Sequence, residues 1–305
     1  MAINRASIAK QLLPGLNAVF GIEYGEVADE YSVLFEVENS DRAFEEEVLF
    51  TGFGSAPVKG EGAAVQYDNA QESYTSRYTA ETIALAFSVT EEAMEDNLYD
   101  TFAKLRARGL ARSMANTKQT KAADVFNNSF SATYTGGDGQ PLFSASHPVV
   151  GSGGAQSNLI GTAGTVDLSE AALETALVSI QTIKDDRNIL VGANAVSLHV
   201  APSNQFTADR VLNSPYQPNT ADNNINSINH QGMIPSGYMV NKRFQDPDAF
   251  FIKADVPNGT KMFVRAPLAT KMEPDFDTGN LRFKARERYS FGWSDWRGYF
   301  GSQGA

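Results

Sequence analysis

Residues Ser88 to Phe130 constrain the fold more than any other stretch, because they read as one long helix. Ser88 with Glu91 three residues later has the spacing of a capping box, in which hydroxyl and carboxylate each satisfy a free N–H of the first turn. Met94, Leu98, Phe102 and Leu105 then recur at helical spacing, and a second line of Tyr99, Ala103, Ala107, Leu110 and Met114 widens the apolar stripe. At 1.5 Å per residue, a helix of about forty residues is roughly 60 Å long, more than the diameter of a small globular domain. Strict heptads are missing, so the rod is expected to be a girder laid along a flat or elongated subunit, not a coiled-coil strand. Gly109, at about 1 kcal/mol relative to Ala in mid-helix, fits a bend, a close neighbour or a plain surface position.

The rod is also basic. Lys104, Arg106, Arg108, Arg112, Lys118 and Lys121 occur with no acid between Thr101 and Ala123. Its complement lies upstream, where ten Asp or Glu between Glu23 and Glu47 face the single base Arg42. Such a run is a solvated face or a strip that docks on a basic surface, within or between subunits. Exposed ion pairs contribute about 0 to 1 kcal/mol each, so pairing of this kind sets register more than it adheres. The net charge of −11 argues against a surface that neutralises nucleic-acid phosphates all over, though local basic faces remain open to that role. With no cysteine in 305 residues there is no disulfide, no thiolate nucleophile and no Cys-ligated metal. There is neither an eighteen-residue apolar run nor a signal-peptide pattern at the N-terminus, so no membrane partner is expected and the cytosol is the default compartment.

Around the rod the chain reads as follows. Ile8, Leu12, Leu13, Leu16, Val19 and Phe20 form a short apolar segment broken at Pro14-Gly15, and Tyr31, Val33, Phe35 and Val37 alternate as in a strand. A flexible Gly-rich stretch from Phe50 to Ala64 reads as a loop or hairpin tip, and Tyr74 to Val89 as an extended β-arm feeding the helix. Residues 131–166 are rich in Gly, Ser, Thr and Asn. Asp167 and Glu170 suggest a second capping box for a helix ending near Lys184, followed by a strand around Val196–Val200 and a short helix opened by Pro202-Ser203: a small α/β unit. Asp277-Thr278-Gly279-Asn280 is a hairpin turn. After it, Leu281, Phe283, Ala285, Tyr289, Phe291 and Trp293 face one side of a strand with Glu287 the exception, and Arg282, Lys284, Arg286 and Arg288 face the other.

Chemistry is sparse. His147, His199 and His230 are isolated, with no metal-ligand spacing. His147 within Ser144-Ala145-Ser146-His147-Pro148 suits a turn better than a nucleophile–base pair, since relay members seldom sit so close in sequence. Asp222, Asn224 and Asn226 imitate the start of a calcium loop, but Ser227 and Met233 stand where Gly and the bidentate Glu belong. Gly161 to Thr165 lacks the Lys of a phosphate loop. No catalytic residue, cofactor or metal ligand is assigned, and the chain is expected not to be an enzyme.

Leu142-Phe143-Ser144-Ala145-Ser146-His147-Pro148 followed by Asn158-Leu159-Ile160 resembles the middle of the major head subunits of Mu-type phages. Arg286 to Trp293 with Arg297-Gly298-Tyr299-Phe300-Gly301 resembles the closing strand of tailed-bacteriophage major capsid proteins. Leu13-Pro14-Gly15, Thr51-Gly52-Phe53-Gly54 and Thr90 to Tyr99 are similar to such proteins too. The resemblance implies an α+β fold of the Hong Kong 97 type. Residues 1–40 would be an N-terminal arm, 41–87 an extended β-hairpin loop, 88–130 the spine helix of a peripheral domain, 131–258 an α/β axial domain, and 259–305 the strands that complete the peripheral domain. The implied role is self-assembly into hexamers and pentamers of an icosahedral virion shell around double-stranded DNA, built in the bacterial cytoplasm with portal, scaffolding or decoration partners. Candidate intersubunit contacts are Glu45, Glu46, Glu47, Lys59, Arg77, Arg106, Arg108, Arg112, Arg286 and Arg288. Alternatives are an encapsulin-like compartment shell, a β-rich hydrolase, and a tail or adhesin subunit.

Overall fold

The computed structural model describes residues 5–90, 92, 99–150, 154–161, 163–217, 224–275 and 277–305. Two four-stranded sheets and the long helix between them dominate it. The first sheet combines β1 (Glu36–Asn39), β4 (Glu81–Val89), β10 (Thr260–Pro274) and β11 (Leu281–Trp293) in the order β1-β10-β11-β4. Its centre is the β10–β11 hairpin, antiparallel from Thr260 opposite Trp293 to Pro274 opposite Leu281, with β1 added parallel to β10. The second sheet orders β12 (Tyr299–Ser302), β9 (Phe250–Ala254), β7 (Ala195–Val200) and β8 (Tyr238–Val240). A separate hairpin pairs β2 (Phe44–Phe50) with β3 (Glu72–Thr79) and carries the irregular residues 51–71 at its end. The pair β5 (His147–Pro148) and β6 (Ala155–Gln156) completes the strands.

The long helix, α3, is described from Tyr99 to Asn127, about 44 Å of rod. It is shared between two cores. Ala103, Ala107, Leu110, Ala111 and Met114 pack with Leu16 and Phe20 of α1 (Arg5–Glu26) on Leu281, Phe283 and Ala285 of β11. Ala122, Ala123, Val125 and Phe126 enter a larger core with β7, β9 and β12, and with α4 (Glu170–Thr182) and α5 (Gln205–Asn213). Each large apolar side chain buried this way, such as Leu110, Met114 or Phe126, contributes about 1.5 to 3 kcal/mol before entropy is set against it, while the alanines let the neighbouring elements approach closely.

Several expectations change. Ser88 and Val89 do not open the helix: they end β4, opposite Arg282 and Leu281. Glu91, Met94 and Leu98 lie outside the described residues. The inward face is the line through Ala103, Ala107, Leu110 and Met114, whereas Leu105 is 64 % exposed. The helix stops at Asn127, with Ser129 Oγ donating to the Phe126 carbonyl, so Phe130 lies past its end. Tyr74 to Val89 is two strands in two sheets, separated at Ala80.

The N-terminal segment is helical through Pro14-Gly15, because Leu16 and Phe20 of its later turns gain a buried seat on α3 and β11 that outweighs the local break. Tyr31–Leu34 is one helical turn, α2, in place of the expected strand. Gln119 Oε1 of α3 accepts from the N–H groups of Glu30 and Tyr31, pinning that turn, and the successive burial of Leu34 and Phe35 is something an alternating strand cannot give. At α4 the capping oxygen comes from Ser169, which accepts from Ala172 N–H, not from Asp167. Asn226, the last residue of the calcium-like run, caps α6 (Ser227–Gln231) and is fully buried, while Asp222 lies outside the described residues.

Candidate functional site: a buried hub and the surfaces around it

The motif Leu142 to Pro148 with Asn158 builds a hub beneath the C-terminal strands. His147 is fully buried and lies flat on Trp296, ring centroids 4.1 Å apart and planes within 2°. Its Nδ1 is 2.6 Å from Asp138 Oδ2 and its Nε2 3.1 Å from Asn158 Oδ1, so both ring nitrogens face oxygen. Asn158 Oδ1 also accepts from Ser144 N–H, and its amide nitrogen donates to the carbonyls of Leu142, Trp296 and Tyr299 at 2.7, 3.2 and 3.0 Å. An Asp–His pair of this kind resembles part of a catalytic relay, but among the described residues no nucleophile meets it. Ser144 Oγ donates to Gln140 instead, and the histidine's outer nitrogen is taken by Asn158. The hub therefore ties residues 138–158 to the end of the chain. Asp138, in the turn Gly136-Gly137-Asp138-Gly139, and Asn158 are hub members that spacing in sequence did not reveal; Asn158 was marked by the family resemblance alone and Asp138 only by its place in a polar loop.

A second buried polar group joins α1, α2, α3 and β11. Lys118 Nζ is 2.9 Å from Glu287, which is 1 % exposed, and 5.7, 5.4 and 5.3 Å from the ring centroids of Tyr24, Tyr31 and Tyr289. Burial, reinforced by the Glu287 carboxylate, pushes the Tyr24 phenol well above its usual range. Here the sequence did leave a mark: Glu287 is the one charge on the apolar face of β11. Arg297 is buried with Asp186 at 2.6 Å and Asp295 at 3.5 Å. Burial opposes the Arg297 cation, but those carboxylates outweigh it and raise its pKa; burial likewise raises that of Asp295. His199, on β7, is pushed down to about 3 by burial, with Lys253 adding to the shift.

The candidate contact residues are distributed unevenly. Glu47 is occupied inside its own chain, held by Lys261 Nζ at 2.5 Å and by Ser294 Oγ. Burial works against the Lys261 cation, yet the hydrogen bonds it donates to Glu47 and Glu38 raise its pKa overall. Glu45 accepts from Ser40 Oγ at 2.7 Å. Glu46 stands 3.8 Å from Arg77, both exposed, and the Arg77 guanidinium lies 3.9 Å over the Phe44 ring. Arg108 and Arg112 both reach Glu23, at 3.2 and 2.9 Å, so part of the acidic strip meets the basic helix within one chain. Arg106 donates to the Ser88 carbonyl at 2.9 Å. Lys59 is exposed in the 51–71 loop. Arg286 is exposed on the outward face of the first sheet, in register with Ala84 and Ala269, and Arg288 beside it is half-buried.

Apolar surface collects on the hairpin end: Phe53 is 63 % exposed, Val65 65 %, Tyr67 93 % and Val58 99 %. That end is clasped by Asp68, whose carboxylate accepts from Gly54 N–H at 2.6 Å and from Arg187 at 2.7 Å; the Gly54 bond and then Arg187 hold its pKa below the usual range. Among the described residues no cluster of His, Cys, Asp and Glu is placed to hold a metal, and no helix is long and apolar enough to cross a membrane.

The fold has counterparts. The chain is similar to the capsid of an empty GTA particle (TM-score 0.54, 16 % identity, 90 % of each chain covered). It is also similar to the procapsid of bacteriophage JBD30 (TM-score 0.53, 14 % identity, 98 % of this chain and 76 % of that one). The third likeness is to a virus-like particle from Pyrococcus furiosus (TM-score 0.52, 9 % identity, 95 % and 98 %). No curated protein sequence matches. The model of the phage capsid protein family matches residues 72–300, a span that runs from the start of β3 through α3, the hub and most of both sheets, and the chain belongs to that family.

Proposed function

We propose that this chain is the major head subunit of a tailed phage, a Hong Kong 97 type protein that assembles as hexamers and pentamers into an icosahedral shell around double-stranded DNA. The observation that carries this beyond family membership is the β2–β3 hairpin: its 51–71 end exposes apolar side chains that a solitary soluble chain has no reason to keep in water. In this reading residues 1–40 act as the arm, 41–87 as the extended loop, 88–130 as the spine segment, 131–258 as the axial domain and 259–305 as the closing strands. Family and fold point to a structural role, not an enzymatic one. Many weak repeated contacts would close the shell by mass action in the host cytoplasm, with portal, scaffolding or decoration proteins as partners and DNA bound without sequence preference.

Negative-stain microscopy of the purified protein, with a sedimentation profile of the same sample, tests this. Closed shells, sheets or rings of five and six are the expected result; a strict monomer over a wide concentration range, with candidate scaffold supplied, would sink it. The likeness to the Pyrococcus furiosus virus-like particle favours a second reading, an encapsulin-like compartment. Shells isolated from their native source decide between the two: nuclease-protected DNA marks a phage head, a protein cargo a compartment.

A further inference from the structure

A cleft opens where two strands part. β4 pairs with β11 only as far as Glu81, opposite Tyr289, and on the other side of Ala80 the chain belongs to β3, which pairs with β2 instead. The gap between residues 75–78 of β3 and 291–293 of β11 holds a cavity of about 510 Å³, walled by the 133–137 loop. A second cavity of about 300 Å³ shares Arg77, Tyr78, Tyr134 and Phe291 with it and reaches Lys121 and Asp124 of α3. These are the dimensions of small-molecule sites, roughly 300–1,000 Å³.

The wall is set in advance. A Cβ on Gly136 would sit 2.5 Å from Trp293 Nε1, and one on Gly137 2.5 Å from the Thr75 carbonyl oxygen, so the loop backbone is pressed against both strands at positions where only glycine fits. Ser76 lines the first cavity, and Tyr289 and Ser290 the second. They are 5 %, 1 % and 7 % exposed, and their hydroxyls make no hydrogen bond within the chain. A buried hydroxyl left unpaired is costly, so the cleft favours an occupant whose own groups both donate and accept.

The charges select against an ion. Arg77 lies over Phe44 and beside Glu46, and Lys121 holds Glu81 at 2.5 Å, so neither cation is free for an anion. The same Lys121 ammonium opposes a metal ion beside Asp124. Burial, then Glu81 and Asp124, push the Tyr134 phenol above its usual range and keep it a neutral hydroxyl, while its ring is 42 % exposed. Hydroxyls, a carboxylate that accepts from two neighbouring O–H groups, and an accessible aromatic face together suit a sugar ring, which presents C–H on its faces and O–H around its edge.

We propose that this cleft binds a neutral carbohydrate of one or two rings, with Tyr134 against a ring face and Asp124, Ser76 and Ser290 on its hydroxyls. The site lies within one chain and does not depend on the assembly reading above. Saturation-transfer NMR on the purified chain, assembled or not, tests it with maltose, lactose and chitobiose as neutral probes and glucose 6-phosphate as the charged one. At least one neutral disaccharide is expected to receive saturation and to titrate in the millimolar range, with glucose 6-phosphate weaker. Tyr134→Ala and Asp124→Asn, both at solvent-accessible positions, are expected to keep the parent melting temperature and to weaken binding at least tenfold each. Ser290→Ala adds a buried position: it is expected to weaken binding without loss of fold, because that hydroxyl bonds nothing in the chain. No transfer to any of the three disaccharides overturns the proposal, as does transfer that survives both Tyr134→Ala and Asp124→Asn. Tighter binding of glucose 6-phosphate than of every neutral probe overturns it too. A chain that binds sugar but never assembles keeps the site and removes the capsid assignment.

Discussion

At the scale of single residues, Asn158 carries several bonds at once. It satisfies three carbonyls and one N–H and holds the outer nitrogen of His147, in a fully buried place. Asn158→Ala should destabilise the unassembled chain by about 3 kcal/mol or more, measured by chemical denaturation, because several buried groups lose their partner together. His147→Gln should cost less, since its amide nitrogen can still meet one of the two acceptors. His199 gives a pH dependence of definite sign. Its folded-state pKa of about 3 lies below the ordinary imidazole value of 6.5, so the unfolded chain binds the proton first and stability falls as pH drops through that window. At pH 5 the loss amounts to about 2 kcal/mol relative to neutral pH, and His199→Gln should flatten that part of the stability profile. A profile unchanged by His199→Gln would place the acid sensitivity elsewhere.

At the scale of elements, the contact between α1 and α3 combines Leu16 and Phe20 with two kinds of charge. In the Glu23–Arg108–Arg112 set a buried carboxylate is shared by two exposed guanidinium groups, so Arg108→Ala leaves Arg112 in place and should cost under about 1 kcal/mol in thermal melting. The buried Lys118–Glu287 pair should not be: Glu287→Gln leaves the ammonium uncompensated and should cost about 3 kcal/mol, whereas Lys118→Met with Glu287→Leu should recover most of it. A double mutant no better than the single would mean that the tyrosines, not the charge pair, hold the junction. How far this was legible follows from the physics of each part. The period of α3, the Asp277–Asn280 turn and the two-sided β11 are local, and they stand in the sequence. Which of the two apolar lines on α3 faces inward depends on β11, far away in the chain, so Leu105 was misplaced. The α2 turn is fixed by Gln119, some ninety residues downstream, and its own alternation pointed to a strand. Of the buried polar groups, Glu287 stands out from pattern alone, because a charge on an apolar face breaks it; His147 and Asn158 stood out only through the family resemblance, and Asp138 sits in a loop where polar residues are ordinary.

At the scale of the whole molecule, the hairpin end is the part of the surface least suited to a lone chain. Its apolar residues are left uncovered on the single subunit, which is how an interface between copies is expected to look before it forms. Deleting residues 55–66 should leave the melting temperature of the unassembled chain within a few degrees and abolish shells in the microscope; shells of normal yield would remove the hairpin end from assembly. One consequence lies in α3 itself. Because its first half is rooted in one core and its last turns in the other, a pull on the first sheet reaches the second as tension along a hydrogen-bonded rod, not as the bending of a loop. The subunit should answer load as a single stiff plate, yielding at its seams with neighbours before it yields within.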